Sequence, residues 1–221
     1  VMVDAILDEL RDKDYNRIIA VGGGTIIDIA KVLAVASKED KVDDLYDRMA
    51  DLHKVHELVI VPTTCGTGSE VTNISIINRT TKGVKQGIVS PAMFANEAAL
   101  IPGMLASLPY GVFATSSIDA MIHAVESFLS PNACAISELF SKSALHLILS
   151  GWRAAVDNGG RDAWKKYAAR FLRASNFAGI AFGHAGCAAV HALSYPLGGT
   201  YRIPHGVSNA ILLPFVMRYN M

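Results

Sequence analysis

Residues 17–37 read RIIAVGGGTIIDIAKVLAVAS, and residues 58–64 read LVIVPTT. The first begins with a short apolar run that ends in three glycines, which predicts a buried strand and a tight turn. Apolar residues at helical spacing follow, from Thr25 to Ser37. The second stretch is another apolar strand, again running into small hydroxyl residues. Strand, Gly-rich turn, helix, strand is the pattern of a parallel α/β sheet.

Working outward, Val3, Ile6, Leu7 and Leu10 space an amphipathic helix over residues 1–12. VTNISIIN at 71–78, the turn TTKGVK and QGIVS predict a hairpin. Beyond Leu108-Pro109 the segments are long and helical, with no strand alternation. The expectation is α/β plus all-α, with residues 1–108 in one domain and 109–221 in another.

Composition narrows the function. Over 221 residues, 51% are hydrophobic and 18% charged, so a sizeable core is expected. Twenty Lys and Arg balance twenty Asp and Glu, which gives no footprint for nucleic acid. No apolar run approaches the length of a membrane span. Cys65, Cys134 and Cys187 are widely separated, which points to a reducing compartment and a cytoplasmic location.

Three segments carry candidate chemistry. Gly22-Gly23-Gly24-Thr25 joins a strand to a helix, where bare backbone and free N–H groups suit a phosphate. The structural alternative is a βα turn with Thr25 as N-cap and Asp28 completing the cap. PTTCGTGSE at 62–70 offers hydroxyls and glycines at the end of the second strand, as a nucleotide crevice requires; its alternative is a polar capping loop.

The third segment is a set of metal-ligand types. IDAMIHAVES places Asp119 and His123 at i and i+4 on one helix face. HALSYPLGGTYRIPHG sets His191 and His205 fourteen residues apart, His205 in a rigid loop between Pro204 and Gly206. One carboxylate and three imidazoles suit Fe²⁺ or Zn²⁺. Each histidine alone is an ordinary core or surface residue; the apolar neighbours of the set make it costly without a ligand. His184 remains open as a supporting group, and His53 and His56 lie in a charged stretch.

These segments resemble the iron-containing, or group III, alcohol dehydrogenases. The resemblance runs through GGGTIID at 22–28, PTTCGTGSEVT at 62–72, LPYGVFATSSIDAMIHAVES at 108–127, AGIAFGHAGCAAVHALSYPLGG at 178–199 and PHGVSNAILLP at 204–214. Segment 107–130 is most similar to the 4-hydroxybutyrate dehydrogenases. The resemblance implies a dehydroquinate synthase-like fold, with a dinucleotide-binding domain followed by a helical metal domain. It also implies further segments before and after this chain. Asp119, His123, His191 and His205 would be the metal ligands. Gly23, Gly24, Thr25 and Asp28 would face the pyrophosphate and nicotinamide, and Thr63, Thr64, Thr72 and Lys85 the rest of the cofactor. The implied cofactors are NAD, with NADP left open, and Fe²⁺, with Zn²⁺ as the alternative. The substrate would be a small primary alcohol or aldehyde, and the assembly a homo-oligomer.

One departure from the family pattern is Tyr195, one helical turn after His191, where members commonly carry a second histidine. Tyr195 and Lys85 are accordingly the candidate catalytic groups, with packing and a solvated surface lysine as their alternatives. A lyase of the dehydroquinate synthase type and a metal-binding chain without turnover are the rival readings. The lyase would call for several Lys or Arg residues near the metal, and only Arg202 is close in sequence.

Overall fold

The computed structural model describes residues 2–220. The chain divides into two compact units, one of residues 1–62 and 69–99, the other of residues 63–68 and 100–221. The division falls at Leu100 where the sequence pattern suggested Pro109, and the Gly-rich loop 63–68 belongs with the helices.

In the first unit, β1 (Arg17–Gly22), β2 (Glu57–Pro62) and the short β5 (Glu97–Ala98) form a parallel sheet in the order β1-β2-β5. Ile19 pairs with Val59 and Val21 with Val61. α1 (Met2–Leu10) precedes the sheet, and α2 (Gly24–Val35) and α3 (Val42–Asp47) follow β1. α2 buries Ile27 and every residue from Ala30 to Val35, the behaviour of a helix that is apolar nearly all round. One face of it joins Ala20, Leu58 and Ile60; another joins Leu7, Leu45, Tyr46, Ile88 and Met93.

β1 is less buried than its composition predicts. Ile19 and Val21 are exposed, because β1 pairs only with β2 among the described residues and one of its faces is uncovered. β3 (Ile74–Arg79) and β4 (Val84–Val89) form the expected antiparallel hairpin, closed through Gly83 at φ 65°. A positive φ there is what only glycine adopts without strain.

The second unit is helical: α4 (Tyr110–Leu129), α5 (Ala135–Asp157), α6 (Ala168–Ala185), α7 (Ala189–Tyr201) and α8 (His205–Asn220). Ala120 and Ala124 of α4, Ala144 of α5, and Ala174 and Ala178 of α6 meet in one cluster, whose small side chains let the helix axes approach. Phe113 stacks on Trp164 at 3.9 Å, with Phe171 edge-on to it. Loop 63–68 contributes Cys65 to that aromatic core.

One helix runs through an internal proline, and another starts where the sequence suggested a loop. α7 runs on through Pro196 and ends only where Arg202 turns left-handed at φ 56°. His205 is the first residue of α8 rather than part of a rigid loop. No single helix among the described residues is long and apolar enough to cross a membrane.

Candidate functional site

α4 displays Asp119 and His123 one turn apart, both buried within the second unit. α7 brings His191, 3% exposed, and α8 opens with His205. Glycine permits this arrangement: a Cβ on Gly206 would lie 2.5 Å from the Thr115 carbonyl oxygen of α4, so only a bare backbone lets α8 start there. One ligand atom each from Asp119, His191 and His205 lies within 4.8 Å of the others. His123 joins through His191, its ring stacked on that ring at 4.4 Å.

The hydrogen bonds leave particular nitrogens turned inward. His123 Nδ1 donates to the Gly66 carbonyl at 3.3 Å. His191 Nδ1 donates to Glu126 Oε2 at 2.6 Å. His191 Nε2 lies 3.7 Å from Asp119 Oδ1, too far for a hydrogen bond, and is buried without a partner. His205 Nε2 is 3.8 Å from the same oxygen. An orphaned buried nitrogen beside a carboxylate is costly by itself. Such spacings are of the order that two bonds of about 2.1 Å to one shared ion would span, so the residues fit a divalent metal.

The electrostatics agree. Burial pushes His123 down to about 4, against the pull of Asp119, so its imidazole is neutral at neutral pH. Asp119 is held well below the usual carboxylate range: burial opposes its charge, and the surrounding His123, His191 and His205 outweigh that. Burial also pulls His191 down, but Asp119, Cys187 and Glu126 raise it overall. A proton and a metal ion compete for the same Nε2.

Three neighbours escape simple motif reading. Asn209 Nδ2 donates to Asp119 Oδ1 at 2.7 Å and lies 3.2 Å from His205 Nε2. Glu126 holds His191, and Cys187 forms a second three-residue cluster with His123 and His191. Asn209 follows His205 by four residues and Glu126 follows Asp119 by seven, so helical periodicity from the candidate ligands would have found both. Tyr195 is half-buried, its ring nearly parallel to that of His205 at 6.1 Å. His184 is exposed and bonds back to the Ile180 carbonyl of its own helix. Arg202 is exposed as well.

The expected cofactor residues divide between the units. Gly23, Gly24, Thr25, Asp28, Thr72 and Lys85 belong to the first, Thr63 and Thr64 to the second. Gly23, not Thr25, is the N-cap of α2, and no side chain caps it; Thr25 lies exposed inside the helix. Gly22 is required by a close approach, since a Cβ there would fall 2.6 Å from Ile26 Cβ. The first turn of α2 therefore keeps free N–H groups, the usual property of an anion-binding helix start.

Lys85 is exposed on β4, and its charge acts on Asp28. The buried cation of this unit is instead Lys31. It donates to Ser69 Oγ at 3.0 Å, Thr72 Oγ1 at 2.8 Å and the Ile74 carbonyl at 2.8 Å. The Thr72 hydroxyl is thus engaged inside the unit, donating in turn to the Ser69 carbonyl. Among apolar helix residues Lys31 gave no motif signal; its place three residues after Asp28 was the available hint.

Known proteins resemble this chain in sequence and fold. The chain is 48% identical to the 4-hydroxybutyrate dehydrogenase of Clostridium kluyveri, covering 98% of this chain and 58% of that one. Among solved structures, the iron-containing alcohol dehydrogenase of Thermotoga maritima superimposes with a TM-score of 0.86 at 34% identity, over 98% of this chain and 58% of that one. The sulfoacetaldehyde reductase of Bifidobacterium kashiwanohense, solved with NAD⁺, gives 0.89 at 29% identity, over 99% and 58%. The chain therefore spans well under two thirds of the length of these relatives. Residues 1–102 match the model of the iron-containing alcohol dehydrogenases, and residues 113–221 match that of the C-terminal region of the same family. By both halves, then, the chain belongs to the iron-containing alcohol dehydrogenase family.

Proposed function

We propose that this chain carries the metal centre and part of the cofactor site of an enzyme that interconverts a primary alcohol and its aldehyde with NAD or NADP. The observation that carries this reading is the buried, unpartnered Nε2 of His191 facing Asp119, with His205 on the same carboxylate oxygen. Asp119, His123, His191 and His205 would hold Fe²⁺ or Zn²⁺. When bound, such an ion supplies Lewis acidity toward the alcohol oxygen. The protein's part is to keep three imidazoles and one carboxylate in place and to exclude water around them. Gly23 and Gly24 would let a pyrophosphate approach the open start of α2, with Thr25, Asp28, Thr63, Thr64, Thr72 and Lys85 around the rest of the dinucleotide. Lys85 would offset phosphate charge, and Tyr195 would offer a hydroxyl beside His205. The 48% identity to a 4-hydroxybutyrate dehydrogenase favours 4-hydroxybutyrate and succinic semialdehyde as the substrate pair. A cytoplasmic location and a homo-oligomer complete the proposal.

The test follows NADH absorbance with succinic semialdehyde, with Fe²⁺ or Zn²⁺ supplied, alongside metal content. Turnover and bound metal in the wild type are expected to vanish together in Asp119→Ala and His191→Ala, with His53→Ala unchanged. Stoichiometric metal retained after replacing both His123 and His191 would overturn the ligand set. Metal binding without turnover would leave a binding chain rather than an enzyme.

A further inference from the structure

Glu126 lies on α4 seven residues after Asp119 and three after His123, on the same face of the helix. It is 4% exposed. A glutamate so buried needs partners, and its carboxylate receives three N–H groups from the start of α7. Oε1 accepts from Val190 N at 2.6 Å; Oε2 accepts from Ala188 N at 3.0 Å and from His191 Nδ1 at 2.6 Å. Ala188 is the N-cap of α7, and no side chain of its own caps that helix. Glu126 thus supplies from a neighbouring helix the acceptor that a helix start ordinarily takes from a local Ser or Asp. Its negative charge also sits at the positive end of α7.

The same carboxylate acts on His191. An ionised carboxylate only accepts, so the nitrogen facing it must carry hydrogen. In a neutral imidazole the lone pair is then forced onto Nε2, the atom that faces Asp119. One side chain consequently sets where α7 begins, how the His191 ring is turned, and which nitrogen can bind a cation. We propose that Glu126 is a positioning residue of the metal centre, one that presets His191 as an Nε2 ligand by anchoring the first turn of α7. The inference rests on the metal-centre reading above and adds a role for a residue outside the ligand set.

The experiment uses the full chain, with Zn²⁺ affinity measured by chelator competition and folding followed by circular dichroism. Glu126→Gln keeps size but puts an amide donor where three N–H groups require acceptors. Zn²⁺ affinity is expected to fall roughly 10–100-fold while the variant remains folded. Wild-type affinity in that variant overturns the proposal, because a helix cap with no bearing on the ligand would leave affinity intact. Should Glu126→Gln not fold, the wild type decides. In Zn²⁺-loaded protein labelled with ¹⁵N-histidine, the His191 ring is expected to carry its proton on Nδ1; a proton on Nε2 overturns the proposal. Failure of the wild type to bind Zn²⁺ at all would instead sink the metal-centre reading itself.

Discussion

Asp28 and Lys31 are three residues apart on α2, and burial works against both charges. It pushes Asp28 up to about 6, with Lys31 and Ser69 pulling the other way, and Lys31 down to about 8, against Asp28 and Glu70. From about pH 4 to 6 the folded chain keeps a proton on Asp28 that the unfolded chain has lost, so stability falls as pH rises there. From about pH 8 to 10.5 the unfolded chain holds a proton that folded Lys31 has released, so stability rises with pH. Between these windows lies a trough in stability. Urea titrations should show the trough flattened in the double variant Asp28→Asn/Lys31→Met; bonds lost by Lys31 add an offset that does not depend on pH. An unchanged trough would mean that other groups set it. Tyr195→Phe tests a second residue, removing the hydroxyl from a ring that lies nearly parallel to that of His205. The expected loss is roughly 0.5–1.5 kcal/mol in kcat/KM if its partner there is neutral, and wild-type kinetics would reduce Tyr195 to packing.

Helices α4 and α8 meet at a point where the backbone itself is the contact. Gly206→Ala would set a methyl group 2.5 Å from the Thr115 carbonyl oxygen, so α8 must move. Because His205 precedes Gly206, that movement carries the proposed ligand His205 with it. A stability loss of about 1–3 kcal/mol is expected, together with weaker Zn²⁺ binding. Unaltered metal affinity would show that the start of α8 is free to adjust. Much at this scale was legible beforehand. Asp119 and His123 share a face by simple periodicity, and the β3–β4 hairpin follows from alternation and a glycine turn. The continuation of α7 through Pro196 was not, since Pro and paired glycines usually end a helix. His205, expected in a loop, opens α8 instead, because the proline before it is compatible with a helix start.

For the whole molecule, apolar strands and long helical runs announced an α/β part and a helical part. The assignment of loop 63–68 to the helical unit was not legible, because it depends on contacts far along the chain, such as Gly66 with His123. The two tryptophans, Trp152 and Trp164, both lie in the helical unit. Tryptophan fluorescence therefore reports that unit alone, whereas far-ultraviolet dichroism reports both. Zn²⁺ at about a hundred times its dissociation constant should stabilise the folded centre by about 2.7 kcal/mol. The fluorescence-detected melting midpoint is then expected to rise, and to rise less or not at all in His191→Ala. Equal shifts in both proteins would assign the effect to binding elsewhere.

Cys65, in loop 63–68, is 1% exposed, and burial pushes its thiol up to about 12, whereas Cys134 and Cys187 are exposed. Two thiols can thus be blocked in the native state while the third waits inside. Its later alkylation becomes a stopwatch for the opening of the helical unit, running tenfold slower for each 1.4 kcal/mol or so that the opening costs.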